Sequence, residues 1–488
     1  MQKNIYLKLS VIFLFLTNAG CKKGFLDKTP LASISVESFY QTEDDAVKAV
    51  TAIYSILQTD KAFDGQFVNL LELTTDDAMG GFDRSSGMEN YSFQSDFYPF
   101  TASWEALYSG ISRANLVTDR VPQIKMNETK RNRLIGEAKF LRALYYFHLV
   151  NLFGGVPLLN TEIGVKEANI PKSTAEEIYK QIEKDLIDAM GVLPLRSVYS
   201  SSDAGRATKG AAEALLAKAY LFQKKWALAS TAAKNVIASN EYNLMPLFRQ
   251  NFSNKFNNNS EAIFEIQNSD IVKTGWNDQA VGSLVPIWAR PGDVKSATGE
   301  GRGGWGSFRP TPNLDSSFEA NDLRRKETVI QVDNQVIEDG WTVGTKGSGY
   351  KFWATFTVDM GEKDPYHQRI YRYADLLLVC AEALAEQGNL ANAPGGSAFY
   401  LNMVRTRAGL PNTTAATKDD MVKAIRKDRR SELANEYHRL YDLRRWSIIG
   451  PTLKSVGKPF ITGRHELFPI PQTQIDLSKG TLKQNPNY

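Results

Sequence analysis

Apolar residues recur at helical spacing along most of the chain. Thr42 and Asp45 form a capping-box start, after which Ala46, Ala49, Val50, Ile53 and Leu57 fall on one helix face. The same period returns in Trp104, Leu107, Tyr108, Ile111 and Ala114, and again in Leu134, Ala138, Leu141, Tyr145 and His148. Ser173 with Glu176 opens a further helix carried by Ile178, Ile182, Leu186 and Ala189. No stretch of comparable length alternates with period two, so the pattern predicts a mainly α protein.

Two segments share a spacing. Ala217, Tyr220 and Ala229 in the first match Ala381, Leu384 and Ala393 in the second, with Gln223-Lys224-Lys225 and Gln387-Gly388-Asn389 at the turns. Both resemble tetratricopeptide helical hairpins, in which small residues let antiparallel helices approach and a large one fills the groove. Between about residue 241 and residue 370 the helical pattern fails. Six of the twenty positions from 291 to 310 are glycine, and five of the eight tryptophans (276, 288, 305, 341 and 353) lie in this stretch. Disordered segments rarely keep so many aromatics, so the region is expected to be an ordered, loop-rich layer on a helical scaffold, where binding sites usually sit.

The amino terminus sets the compartment. Lys3 and Lys8 precede the apolar run Leu9 to Leu16, and small residues lead to Cys21. A run of eight is too short to span a bilayer, which needs about twenty, and reads as a removable secretory signal over residues 1–20. The junction resembles a bacterial lipobox, making Cys21 the lipid-attachment residue of a mature chain 21–488. The absence of Asp at position 22 resembles outer-membrane lipoproteins. With Cys380 as the other cysteine there is no disulfide framework, and Cys380 is expected to be a buried, inert thiol. Composition narrows the function further. Hydrophobic residues at 42% and charged residues at 23% are globular values, and the net charge of +4 falls to about +2 without Lys3 and Lys8. Nucleic acid is therefore not an expected partner.

Several separated motifs resemble the SusD/RagB family of lipid-anchored outer-membrane nutrient-binding proteins. They are Gly24-Phe25-Leu26-Asp27, Trp104 to Asn115 as W-x-x-L-Y-x-x-I-x-x-A-N, and Glu137 to Ala143 continuing to Phe153-Gly154-Gly155-Val156-Pro157-Leu158. Arg429, Glu432-Leu433, Glu436, Arg439, Asp442-Leu443 and Arg445-Trp446 follow, with Phe468 to Pro471 and Gln484 to Tyr488 at the end. The resemblance covers essentially the whole mature chain. It departs at Asp428, where the family usually has Glu, and at Tyr437 and Asn487, where Gly is common. The implied fold is a mainly α body of tetratricopeptide-like hairpins with an irregular second half, divided as 21–240, a ligand-binding region 241–370, and 371–488.

Other constellations resolve into structure rather than chemistry. Gly299, Gly301 and Gly304 match G-x-G-x-x-G, but no strand leads in and Trp305 to Pro310 cannot open the helix a dinucleotide needs. From Ile425 to Trp446, seven Lys or Arg interleave with four Asp or Glu. Arg429 is within reach of Glu432, and Glu436 lies three from Arg439, so an ion-pair network is expected. These carboxylates also make the best glycosidase cluster, yet neighbouring arginines lower the pKa that a general acid needs raised. His148, His367, His438 and His465 form no metal-ligand spacing, His148 reads as a core histidine, and no G-x-S-x-G elbow appears. No catalytic residue, metal or cofactor is assigned.

What remains is aromatic and polar loop chemistry. A pyranose offers a face of C–H bonds to a flat ring and a rim of hydroxyls to Asp, Asn or Arg. Phe82-Asp83-Arg84 with Asn90-Tyr91 offers this mixture, and so do Trp276, Asn277, Trp288, Arg290, Trp305 and Arg309. Asp83, Arg84, Asn90, Tyr91, Trp276, Trp288 and Trp305 are the ligand candidates, whereas Trp104, Trp226 and Trp446 belong to helices and core. The resemblance implies a binding protein, not an enzyme, that delivers an oligosaccharide to a SusC-like TonB-dependent transporter. A peptide cargo, an assembly scaffold and a secreted glycan hydrolase are the alternatives.

Overall fold

The structure, a computed structural model, describes residues 39–80, 86–162, 169–269, 282–289, 305–330 and 365–488, with four two-residue strands between the last three of these stretches. The described residues are 56% helical, as the period predicts. The signal segment, Cys21, Gly24 to Asp27, Gly299, Gly301, Gly304, Trp341 and Trp353 lie outside the described residues. Among the described residues, no helix is long and apolar enough to cross a membrane.

The first half is a stack of antiparallel helices. α1 (Glu43–Leu57) begins at Thr42, whose hydroxyl accepts from the Asp45 N–H while the Asp45 carboxylate accepts from the Thr42 N–H at 2.8 Å. α2 (Gln66–Leu73) leads to the short strand β1 (Ala78–Met79), and α3 (Tyr98–Arg120) packs on α1. The central helix is α4 (Glu128–Phe153), packed against α1, α3 and α5 (Ala175–Met190). From Gly136 to Phe153 only Lys139 and Asn151 reach solvent, which is the signature of a helix enclosed on every side. α3 can come close because Gly110 lacks a Cβ, which would stand 2.3 Å from the Tyr145 ring. The polar members of the Glu137–Ala143 motif tie this enclosed helix to its neighbours. Glu137 accepts from Arg206 at 2.9 Å and Tyr54 at 3.0 Å, and Arg142 donates to Asp185 at 2.6 Å and to Asn115 at 2.7 Å. α5 starts one residue later than the sequence suggests. Thr174 and Glu177 form its capping box, because the Ser173 N–H is already bonded to the Val156 carbonyl at 2.9 Å.

α6 (Lys209–Phe222) and α7 (Trp226–Ala238) form one hairpin, turned at Lys224 with φ +58°. The chain then makes its long excursion. It leaves through β2 (Ala262–Ile266) and returns through β4 (Gln368–Arg372), which pair antiparallel and close its base; the ladder is extended by the Tyr373 N–H to the Glu261 carbonyl at 2.8 Å. β4 runs straight into α10 (Tyr373–Glu386), which packs on α7 and pairs with α11 (Ser397–Arg407). The hairpins therefore stack as though the excursion were not there. Ala217, Ala229 and Ala381 are fully buried at the contacts, but Ala393 is not equivalent to Ala229. The second connection runs from Gln387 to Gly396, and Ala393 is exposed within it. Cys380 is buried in α10, and its surroundings push the thiol up to about 12. His148 is likewise interior: its Nδ1 is 2.9 Å from the Tyr441 hydroxyl, and burial, with the Lys218 charge, pushes the ring down to about 3.

The charged run from Ile425 to Trp446 is a network, but not the local one its spacing suggests. α12 (Lys418–Leu433) ends early, Asn435 and Tyr437 turn with φ of +56° and +68°, and α13 (Arg439–Arg445) follows. Arg429 binds Asp375 at 2.6 Å and Asp442 at 2.7 Å rather than Glu432, and Arg439 binds Asp76 at 2.8 Å rather than Glu436. The Glu432 carboxylate instead receives Arg372 at 2.6 Å, Arg324 of the short helix α9 (Leu323–Thr328) at 3.2 Å and Arg407. Arg372 also holds Glu261 and Glu436, each at 2.6 Å. Burial explains the exchange, since an interior charge must be matched by the groups that surround it in three dimensions. Burial would raise the Glu432 carboxyl, but Arg407, Arg372 and Arg324 hold it well below the usual carboxylate range.

Glu432→Gln leaves this cluster of buried guanidinium groups short of one negative charge, so we expect a loss of about 3–5 kcal/mol near neutral pH, measured by urea denaturation. Because the folded pKa is depressed, the carboxylate stabilises the fold above the ordinary value of 4.5 and loses that effect as pH falls through and below it. The gap between parent and variant should shrink accordingly in acid; a pH-independent gap under 1 kcal/mol would show the charge to be unimportant.

Candidate functional site

The aromatic layer is assembled on a platform made by α2, the residues after it and the turn between α12 and α13. α8 (Val285–Ala289) is seated through its lead-in: the Leu284 N–H donates to Asp64, and the Ser283 hydroxyl sits 3.3 Å from the same carboxylate and accepts from Gln368 at 3.0 Å. Residues 305–310 then run alongside. The Trp305 N–H bonds to the Ile287 carbonyl at 2.9 Å, and the Ser307 N–H to the Trp288 carbonyl at 2.8 Å. The two indoles meet edge to face, with centroids 4.5 Å apart and planes at 89°. Trp288 is 7% exposed and acts as a buttress, while Trp305 is half-buried against the same core.

The backbone that delivers Trp305 is bent by two left-handed residues. Gly306 has φ +62°, which glycine adopts freely, and Phe308 has φ +60°. A left-handed conformation costs a non-glycine residue about 1–2 kcal/mol. The Phe308 ring is fully buried, which offsets the strain and fixes the bend. The chain emerges as β3 (Arg309–Pro310), antiparallel to β1 with Met79 opposite Arg309.

This pairing brings Arg309, from the second stretch singled out in the sequence, beside Gly80 and so close to Glu89 and Asn90 of the first. The Gly80 carbonyl accepts from Arg309 Nη2 at 2.5 Å, and the Gly80 N–H donates to Glu89 at 2.7 Å, beside the exposed Asn90. Asp83 and Arg84, which follow Gly80 in the chain, lie outside the described residues, as do Trp276, Asn277 and Arg290. Arg309, an edge group of the second stretch, is itself part of this junction.

Tyr91 differs from expectation. It is 5% exposed, its hydroxyl donates to the Thr74 carbonyl at 2.5 Å, and its ring packs among Phe93, Phe460 and His465. Burial pushes its phenol far above the ordinary value, so it is a core residue under the loop rather than a surface for a ligand. Trp104 is buried as expected, whereas Trp226 and Trp446 are half-buried at the edge of the core, the latter donating to Glu382 at 2.8 Å. His367, His438 and His465 are all interior. The carboxylates of the charged run are committed to guanidinium groups, Asp428 to Arg324 at 2.9 Å and Arg405 at 2.7 Å and the others as described above, and among the described residues no group of three or more His, Cys, Asp or Glu is placed to hold a metal ion.

Comparison with known proteins matches these features to one group. A family described as starch-binding and associating with the outer membrane matches residues 25–221, and the SusD family matches residues 343–464. A SusD-like protein of Formosa agariphila is 26% identical, with 97% of each chain covered. A solved laminarin-binding SusD-like protein has a TM-score of 0.79 and 29% identity, over 92% of this chain and 100% of that one. Surface glycan-binding protein A from Bacteroides thetaiotaomicron, in complex with laminarihexaose, has a TM-score of 0.78 and 26% identity over the same shares.

Tyr91→Phe removes a buried hydrogen bond and is expected to cost about 1–2 kcal/mol of stability, read from thermal denaturation, without altering ligand titrations. An unchanged melting temperature with weakened ligand binding would reverse the assignment of Tyr91.

Proposed function

Because the chain belongs to the SusD/RagB family, we propose that it is a lipid-anchored outer-membrane protein that captures an extracellular oligosaccharide and passes it to a SusC-type TonB-dependent transporter. The observation that carries this reading is the Trp288–Trp305 corner. Trp305, a partly exposed residue, is held edge to face on a second indole and followed by the bend at Phe308, and Arg309 lies four residues on, bonded to the Gly80 carbonyl. That combination suits a sugar ring, whose C–H face stacks on the indole while its hydroxyls reach polar groups. In this reading Trp305 stacks, Trp288 supports it, and Arg309 and Asn90 bind at the rim. Asp83, Arg84 and Trp276 contribute from the neighbouring stretches of chain.

The binding of laminarin and laminarihexaose by the two similar structures makes laminarihexaose the first cargo to test. The protein acts by binding rather than hydrolysis, because the carboxylates of the charged run are charge-paired and Glu432 is held far from the raised pKa of a general acid. Residues 21–240 and 371–488 form the scaffold that docks on the transporter, 241–370 carries most of the ligand contacts, and acylated Cys21 holds the assembly on the membrane. Anchoring raises the local concentration, so modest sugar affinity suffices.

Titrating the lipid-free chain 22–488 with laminarihexaose, and with peptides of similar size, should give a saturable change in tryptophan fluorescence for the glycan. Trp305→Ala should weaken binding by about tenfold or more, equivalent to ~1.4 kcal/mol. Equal affinity in the variant would displace the site, and a response to peptides alone would change the cargo. In a bacterial host lacking the transporter, Cys21→Ser should move the protein from the membrane fraction to the soluble one; retention on membranes would refute the anchor.

A further inference from the structure

The ribbon that presents Trp305 is too short to hold itself in place. β1 and β3 pair over two residues each, and an isolated two-stranded ribbon is marginal in water even when longer. Its approach through Gly306 and Phe308 is bent against local preference. Something outside the ribbon therefore sets its position. That something is the pair Asp76-Asp77 immediately before β1.

The backbone of this pair grips the far strand. The Asp76 carbonyl accepts from the Thr311 hydroxyl at 2.6 Å, and the Asp77 carbonyl from the Thr311 N–H at 3.0 Å. Their side chains, each 1% exposed, are gripped in turn by the carboxy-terminal helices. Arg439 donates to both Asp76 oxygens at 2.8 Å, and Arg430 donates to Asp77 through Nε at 2.8 Å and approaches Asp76 at 2.9 Å. Arg430 also reaches Asn313, two residues beyond Thr311, at 2.6 Å. A second tie runs beside it, from the Tyr437 N–H to Glu72 at 2.6 Å. Two adjacent buried carboxylates repel each other and are costly to desolvate. Here they stand where α12, α13, β1 and the end of β3 meet.

We propose that Asp76 and Asp77 are positioning residues for ligand capture, which fix the Trp305–Arg309 segment by locking β3 to α12 and α13. This rests on the reading of Trp305 as the ligand-facing residue. It adds that the orientation of Trp305 is set from the carboxy-terminal helices, through residues that do not touch the ligand. The pair binds Arg430 and Arg439 as charges, so an isosteric neutral replacement keeps the shape and loosens the lock.

The experiment uses the lipid-free chain 22–488 labelled with 5-fluorotryptophan, with the Trp288 and Trp305 fluorine signals assigned by Trp→Phe substitution. Asp77→Asn removes the charge, and Thr311→Val, a milder change, removes only the hydroxyl held by Asp76. Both should shift or broaden the Trp305 signal while leaving Trp104, Trp226 and Trp446 in place, and Asp77→Asn should weaken laminarihexaose binding about tenfold. An unmoved Trp305 signal in both variants overturns the proposal. So does a uniform loss of every signal in Thr311→Val, which would mark a general folding role. If Trp305→Ala binds laminarihexaose as the parent does, the ligand reading fails, while the Trp305 signal in the Asp77 and Thr311 variants still decides whether the pair positions the strand.

Discussion

Everything in this fold is referred to one buried meeting of charges. At Glu432 the guanidinium groups of Arg324, Arg372 and Arg407 converge from the excursion, from the strand that ends it and from the last hairpin. The three arginines themselves are well separated in the sequence. A carboxylate removed from water tolerates almost no drift in its partners, because each lost contact leaves a full charge in a medium that screens it poorly. The cluster thus fixes where the excursion returns, how the last hairpin lies and how α12 is rotated. Arg372 extends it to Glu261 and Glu436, so both strands at the base of the excursion are held by the same group of ions.

The same economy operates one layer outward. α12 sends Arg429 inward to Asp375 and Asp442, and its neighbour Arg430 outward to Asp76 and Asp77. Successive residues on a helix point about 100° apart, so one short stretch serves both the interior and the platform beneath the aromatic layer. The loops over that platform have little regular structure of their own. Their precision comes from short anchored contacts to rigid helices, which is how a loop-built site can be specific without being large.

The helices were legible in the sequence because their period is long and their caps are chemically distinct. Details that depend on three-dimensional surroundings were not. Ser173 and Thr174 are equally good caps with an acid three residues on, and only a strand-like bond from Ser173 to Val156 separates them. Arg429 has Glu432 within a turn, and nothing local reveals that Asp375 and Asp442 will enclose it. Tyr91 lies in a loop-like stretch where an aromatic suits a sugar site, yet burial, invisible to composition, makes it core. β1 and β3, at two residues each, leave no period to read, and so the junction that joins Gly80 to Arg309 could not be foreseen. Two departures from the family pattern do become intelligible. Tyr437 and Asn487, at positions where glycine is common, have φ of +68° and +65°. The left-handed backbone that glycine adopts freely is retained there without it, Tyr437 through a buried ring and Asn487 through its amide bonded to the Gly463 carbonyl at 2.8 Å.

The pairing of β2 with β4 has a bearing on how such a protein can change over generations. Departure and return are pinned side by side, and α7 meets α10 as though joined directly. The intervening hundred or so residues are thereby a cassette plugged into a closed socket. Lengthening a loop whose ends are already fixed costs only about 0.6 kcal/mol per doubling. Insertions and deletions in the cassette's loops, away from anchors such as Arg324 and Thr311, can thus be sampled while the socket keeps its shape, and one scaffold can carry differing loop layers without relearning how to fold.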